Sequence, residues 1–429
     1  MIDFTIEPAF QEKLEWTNSF VRREVLPLET LDLTEAQWRR LTDPLKSEVR
    51  SQGLWAPHLP RELGGGGWTL VEQGLLYEII GISDLAQQVF GNQAPDSGNA
   101  MMLFAGASDE QKERWLRPLL AGEIRSAFSM TEPATAGSDA ISLAATARRD
   151  GNEWVLNGHK WFTSNGSFAD ILLVVAKTEE DARPHSAFSV IVVPANAPGV
   201  NIVRNITSMS DPEGTVRPGY HSHAEIIYQD VRVPLSNTVG LPGEGFALAQ
   251  ARLGPARIHR CMEWLGKARR AYDMMCERAV SREAFGSTLG EKQSVQTWIA
   301  DVGASIEAAR LLTLYTAWKV EKLGVRESRT EISMIKYVVP RVLFDAVDRA
   351  IQVHGSLGFS GDMPLEYMYR DARNAPIVDG PDEVHRMTVA KQVLRRYEPH
   401  QIPSEHIPTR REAAREKFAD VLRGSLESF

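Results

Sequence analysis

The spacing of apolar residues changes twice along the chain, and these two changes constrain the fold more than any other feature. Up to about residue 124 the spacing is helical, as over Glu35–Ser51 and Leu70–Ile80. Between about residues 125 and 234 alternation of period two takes over, broken by turn dipeptides. Asp150-Gly151 separates residues 144–149 from 153–156, and Asn157-Gly158 precedes 159–163, so both read as hairpin turns. Ile171–Lys177, residues 187–193 and residues 223–233 are further strands, rich in Ile and Val. From Gly243 the helical period returns. Val295, Ile299, Val302, Ile306 and Ala309 form one bundle seam. Ile332, Ile335, Val339, Val342 and Ala346 form another, with Pro340 expected to kink it. Residues 389–396 end a further helix.

Helices, then strands, then helices make an α+β arrangement. The expected divisions are a helical domain over 1–124, a β domain over 125–240, a helical bundle over 241–398 and a tail over 399–429. Within the tail, residues 410–424 read as one amphipathic docking or oligomer helix with Ala414, Phe418, Val421 and Leu422 on one side.

Composition excludes several classes of function. A formal net charge of -8 argues against a general nucleic-acid binder, which needs a basic footprint. The 2 cysteines, Cys261 and Cys276, have no metal-type spacing and imply neither a disulfide framework nor a zinc site. The start, MIDFTIEPAF, lacks a signal peptide's basic and apolar regions, and no apolar run reaches the roughly 20 residues of a membrane span. The expectation is a soluble, cytoplasmic protein.

Several stretches are candidates for a site. Residues 127–139 (AFSMTEPATAGSD) read as a strand that stops at Thr131, Glu132 and Pro133 and gives way to a loop of small residues. Such a loop leaves backbone N–H groups and small hydroxyls free to face a ligand. Four glycines, 64–67, lack the Lys-Ser/Thr of a nucleotide loop and read as a surface turn. Residues 91–98 (GNQAPDSG) read as a loop bordering a pocket, and Asp109 as a helix N-cap.

Six separated motifs then agree with one another. They are MTEP with GSD (130–133 and 137–139), NGHKWFTSNG (157–166), RLGPARIH (252–259), SREAFGSTL with Gln293, QVHGSLGF (352–359) and VDGPDEVH (378–385). On these motifs the chain resembles the acyl-CoA dehydrogenase family over nearly its whole length. It looks most like the dehydrogenase half of proteins that fuse a kinase-like domain to such an enzyme, with no room here for the kinase-like part. The resemblance implies an N-terminal helical domain, a β-barrel-like middle domain and a C-terminal four-helix bundle, assembled as homodimers or homotetramers. It implies FAD as cofactor, an acyl-CoA substrate and an electron-transfer flavoprotein as acceptor.

The same resemblance implies residue roles. Phe128, Met130 and Thr131 line the flavin ring, with Phe162 near it and Ser164 offering its hydroxyl to N5. Phe162 stands where the family usually has Trp, which keeps an apolar face but loses area and an indole N–H. Ser138 matches a contact to acyl-CoA or a flavin phosphate, in a loop one residue longer than usual. Arg282, Phe285 and Gln293 match a segment that reaches the FAD of a neighbouring subunit. Gln352 and Gly355 match a loop near the adenosine half. Arg257 is a CoA-pocket charge or a helix-surface salt bridge.

The α-proton of a thioester is very weakly acidic, so its removal needs a desolvated carboxylate base. The family's usual Glu-Gly pair is Asp379-Gly380 here, with Gly380 beside the substrate and a side chain one methylene shorter. Asp379 is the expected base, with Asp382 and Glu383, the latter also a flavin-contact position, as substitutes; the alternative site before Arg257 is Ala256 and closed. An acyl-CoA oxidase or flavin monooxygenase on the same fold, and a non-catalytic flavin-binding assembly protein, are the rival readings.

Overall fold

The computed structural model describes residues 5–179, 182–215, 217–220, 222–399 and 411–424. Helices α1 (Pro8–Phe20), α2 (Glu35–Ser51), α3 (Leu70–Ile80) and α4 (Asp96–Gly106) come first, with short helical turns between them. Thr34 and Thr69 start α2 and α3 as capping boxes with Gln37 and Glu72. Asp109, by contrast, is not a cap. Ser108 is extended and its hydroxyl accepts from the Gln111 N–H, so the helix starts one residue earlier than expected.

Eight strands follow: β1 (Ser126–Ser129), β2 (Thr146–Asp150), β3 (Glu153–Ser164), β4 (Ile171–Lys177), β5 (Phe188–Pro194), β6 (Val200–Asn205), β7 (His223–Pro234) and β8 (Thr238–Val239). Their order is β6-β7-β3-β1-β4-β5-β8, with β2 pairing both β3 and β4. Strands β1, β3, β2 and β4 thus close a circuit of pairings, which gives the sheet its barrel-like curl. Strand β4, apolar up to its last residue Lys177, shows why a buried strand needs no alternation. Ile171, Leu173 and Val175 pack on one side with Met102 and Leu103 of α4. Leu172, Val174 and Ala176 pack on the other with Ile226, Tyr228 and Val231.

One expected hairpin is present and the other is not. Asp150 pairs with Glu153 across a tight turn in which Gly151 has φ 60°. Asn157-Gly158 instead lies inside β3, at a register shift against β7. The Asn157 side chain accepts from the Asp230 backbone N–H across that bulge. A Cβ at Gly158 would lie 2.5 Å from the Ala145 Cβ. The glycine serves a close approach here, not a turn.

The bundle is α5 (Gly245–Ser281), α6 (Gln293–Glu327), α7 (Arg329–His354), α8 (Leu365–Ala372) and α9 (Asp382–Leu394). Both predicted seams face its core. Helix α7 runs on through Pro340, and the non-helical residue is Gly324 in α6 (φ 84°). Helices α3 and α5 meet at two glycines. A Cβ on Gly266 would stand 1.9 Å from the Glu78 carbonyl oxygen, and one on Gly81 2.3 Å from that of Glu263. This contact joins the N-terminal helices and the bundle in one core and sets Glu263 beside α3. In the tail, α10 (Arg411–Lys417) and α11 (Ala419–Gly424) flank an exposed Phe418, and residues 400–410 and 425–429 lie outside the described residues. No helix among the described residues is long and apolar enough to cross a membrane.

Candidate active site

A cavity of about 1320 Å³ opens where the sheet meets the bundle. It exceeds the roughly 300–1,000 Å³ of a single small-molecule pocket. Phe128, Met130, Thr131, Ser138, Phe162, Ser164, Arg257, Asp379 and Gly380 all line it. Residues far apart in the chain therefore meet in one place.

The sheet supplies one wall through its register. Phe128 pairs with Ser164, and Ser164 pairs with His223, so three neighbouring strands present one row. His223 also lines the cavity, and its Nδ1 is 3.1 Å from the Ser164 hydroxyl. Between Phe162 and Ser164, Thr163 turns inward to Ser129. Phe162 has φ 47°, and its ring meets Trp161 edge-on and His223 at 5.5 Å.

Beneath this row lies an ion pair that sequence reasoning did not single out. Lys160, fully buried, donates to the Met130 carbonyl (2.7 Å) and to Glu132 (2.8 Å). The Glu132 carboxylate also accepts from the backbone N–H groups of Ala144 (2.7 Å) and Ala145 (2.9 Å). The acidic residue of MTEP thus ties both ends of the Ala/Gly loop together. Burial opposes the charge on Glu132, but Lys160 and the two N–H groups outweigh it, and the carboxyl titrates below its usual range. Burial lowers Lys160 to about 8 against the attraction of Glu132.

The opposite wall carries Asp379, in the left-handed region at φ 56°, followed by Gly380 at φ 95°. Asp tolerates this backbone better than most residues. The Asp379 carbonyl accepts from Arg257 Nε (3.2 Å) and Nη2 (3.1 Å), and from His385 Nε2 (3.2 Å). Arg257 is therefore not on a helix-surface salt bridge: it clamps the loop that carries Asp379. Burial, then Arg257, lowers the His385 imidazole to about 4, so it is neutral and its Nε2–H is the donor.

Part of the cavity lining is polar. Arg260, Glu263 and Lys267 of α5 line it with Asp84, Tyr220, Tyr367 and Asp371. Lys267 bridges Asp84 (2.8 Å) and Asp371 (2.6 Å), and Arg260 pairs with Glu263 (2.9 Å). Gln87 Oε1 is buried with no hydrogen-bond partner among the described residues. The spacing 260, 263, 267 along a helix of otherwise buried apolar neighbours was the available signal for this stripe.

Burial pushes the Glu263 carboxyl up to about 7 despite Arg260. A raised acid pKa favours folding below the unfolded value and loses that contribution as pH rises through the folded one. The unfolding free energy of the wild type relative to Glu263→Gln is expected to fall by on the order of 3 kcal/mol between about pH 4.5 and 7. Denaturant titrations across that window check it; a constant difference refutes it.

The remaining candidates lie outside the cavity wall. Arg282 ends α5, Phe285 sits at the tip of a two-stranded turn (283–288) with its side chain wholly exposed, and Gln293 opens α6. Gln352 and Gly355 are exposed at the end of α7, and Glu383 is exposed in the first turn of α9. The 91–98 segment does border the cavity, through Asn92, Ala94, Pro95, Ser97 and Gly98.

Three family models cover the chain in order. They describe the acyl-CoA dehydrogenase N-terminal domain (residues 9–123), middle domain (127–214) and C-terminal domain (243–394). The chain is 44% identical over 359 residues to the probable acyl-CoA dehydrogenase FadE2 of Mycobacterium tuberculosis, covering 83% of this chain and 86% of that one. It is 40% identical over 397 residues to acyl-CoA dehydrogenase family member 11 of Gallus gallus, covering 90% of this chain but only 50% of that one. A solved structure from Mycobacterium abscessus, described as an acyl-CoA dehydrogenase, superimposes with a TM-score of 0.86 at 36% identity, covering 92% of this chain and all of that one. With its three domains in family order, the chain belongs to the acyl-CoA dehydrogenase family.

Proposed function

We propose that the protein is an FAD-dependent acyl-CoA dehydrogenase that converts a saturated acyl-CoA to the trans-2-enoyl-CoA. The observation that carries this reading is that Asp379 and the row Phe128–Ser164 line one cavity. The residues present fit a flavin: a broad apolar wall of Phe128, Met130 and Phe162 stands beside the hydroxyls of Thr131 and Ser164. When bound, the flavin supplies a hydride acceptor for the substrate β-carbon. Asp379 takes the α-proton as general base. Arg257 and His385 hold the Asp379 backbone in place, so the carboxylate is positioned before substrate arrives.

Phe285, wholly exposed beside Arg282, supports the reading that this segment completes the site of a second copy, so the active form is a homodimer or homotetramer. On this reading Gln293, Gln352, Gly355 and Glu383 serve the cofactor from their exposed positions, and Ser138 and Gly380 face the CoA thioester. The domain divisions expected from sequence, at residues 124/125, 240/241 and 398/399, complete the proposal. So do a cytoplasmic location, an electron-transfer flavoprotein as acceptor, and kinship with the dehydrogenase half of the kinase-like fusion proteins.

This polar part of the lining supports an acyl group that carries a hydroxyl. The charges there are already paired, and the Tyr220 and Tyr367 side chains beside them suit a neutral polar group. Purified protein is expected to carry FAD and to bleach anaerobically with acyl-CoAs, hydroxylated chains most readily. Absence of flavin, or a flavin that no acyl-CoA bleaches, refutes the dehydrogenase reading. Stoichiometric peroxide on aerobic turnover would make it an oxidase.

A further inference from the structure

The residue that faces Ser164 from the next strand is a histidine, and no role has been given to it. His223 is the register partner of Ser164, lines the same cavity, and brings Nδ1 to 3.1 Å from Ser164 Oγ. Its ring is held against Phe162, centroids 5.5 Å apart. Burial keeps the imidazole below its usual pKa, against the pull of Asp371 and Asp211, so it is neutral at pH 7.

A neutral imidazole has one protonated and one bare nitrogen. With the proton on Nδ1, His223 donates to Ser164 Oγ, and the Ser164 proton is free to point into the cavity. With Nδ1 bare, His223 accepts that proton, and the Ser164 oxygen presents lone pairs instead. The pair can therefore show the cavity either a donor or an acceptor without moving a heavy atom. This versatility matters at flavin N5, which accepts a hydrogen bond when oxidised and carries a hydrogen when reduced. A lone hydroxyl makes the same change only by rotating unanchored.

We infer that His223 is the positioning residue for Ser164, an anchor whose two tautomers let one hydroxyl serve both oxidation states of the flavin. This rests on the flavin reading above. Ser164 makes the contact; His223 acts through it.

The test is the FAD dissociation constant of the holoprotein, read in the oxidised state and again in the anaerobically reduced state. Ser164→Ala and His223→Phe are each expected to weaken both by roughly fivefold, the worth of one hydrogen bond. The double variant is expected to match Ser164→Ala alone. His223→Asn, whose amide falls near the Nδ1 position, is expected to return towards wild type in both states. Where the Phe variant does not fold, His223→Gln carries the same expectation, because its amide lies beyond Nδ1. Unchanged constants in His223→Phe or His223→Gln, a loss confined to one oxidation state, or losses that add in the double variant overturn the inference while leaving the flavin reading intact. Wild-type protein without flavin absorbance overturns both.

Discussion

Asp379→Asn is expected to slow anaerobic bleaching by acyl-CoA by roughly 10²–10⁴-fold, the range for removing a positioned general base. The substitution is a clean one in this structure. Asn tolerates left-handed backbone as Asp does, so φ 56° at this position imposes no new strain. The clamp from Arg257 and His385 falls on the backbone carbonyl, which the variant keeps. Loss of rate with retained FAD and an unchanged melting midpoint therefore reports the carboxylate itself. Glu383→Gln is the companion measurement. Its side chain is exposed in the first turn of α9 and does not line the cavity. Its rate is expected to stay within a few-fold of wild type. If Glu383→Gln carries the loss and Asp379→Asn does not, the base has been assigned to the wrong residue.

The loop before α9 shows how sequence and structure divide the work. The pair Asp379-Gly380 is visible in the sequence, and so is the doubt raised by the shorter side chain. The clamp is not visible, because Arg257 lies far from Asp379 in the chain and nothing in local spacing joins them. Much of the fold was legible for a plain reason: periodicity reports which side of an element is buried, and both seams of α6 and α7 face the core as read. Turn chemistry was less reliable. Asn157-Gly158 carries a strong hairpin signal, yet the glycine is required by Ala145 and the asparagine by Asp230. Both are tertiary demands, and a dipeptide cannot express them. The same holds for His223, which the β3–β7 register brings opposite Ser164. Buried charges were the largest omission. Lys160 sits in an alternating strand where Lys ordinarily faces water, and only its partners explain its burial.

That partnership carries the second large effect. Lys160→Met is expected to destabilise the fold by about 3–5 kcal/mol, the cost of leaving one member of a buried pair without the other. The variant strands the Glu132 carboxylate beside the Ala144 and Ala145 N–H groups and takes the donor from the Met130 carbonyl. Glu132→Gln should cost less. Its amide can still accept one backbone N–H, though its NH₂ end then faces the other. Because both residues act on one loop, the single effects should not add. A double-mutant cycle is expected to give a coupling energy at the upper end of about 0.5–3 kcal/mol. The flavin provides a second readout. On the proposed reading residues 130–131 form the shelf for the ring, and the carboxylate holds both ends of the following loop, so Lys160→Met should release FAD at temperatures where the bundle is still helical. Helical signal and flavin fluorescence followed in one thermal scan separate these events. If the two transitions coincide, or the single variants add without coupling, Glu132 and Lys160 are ordinary core contributors and do not form the clasp of the site.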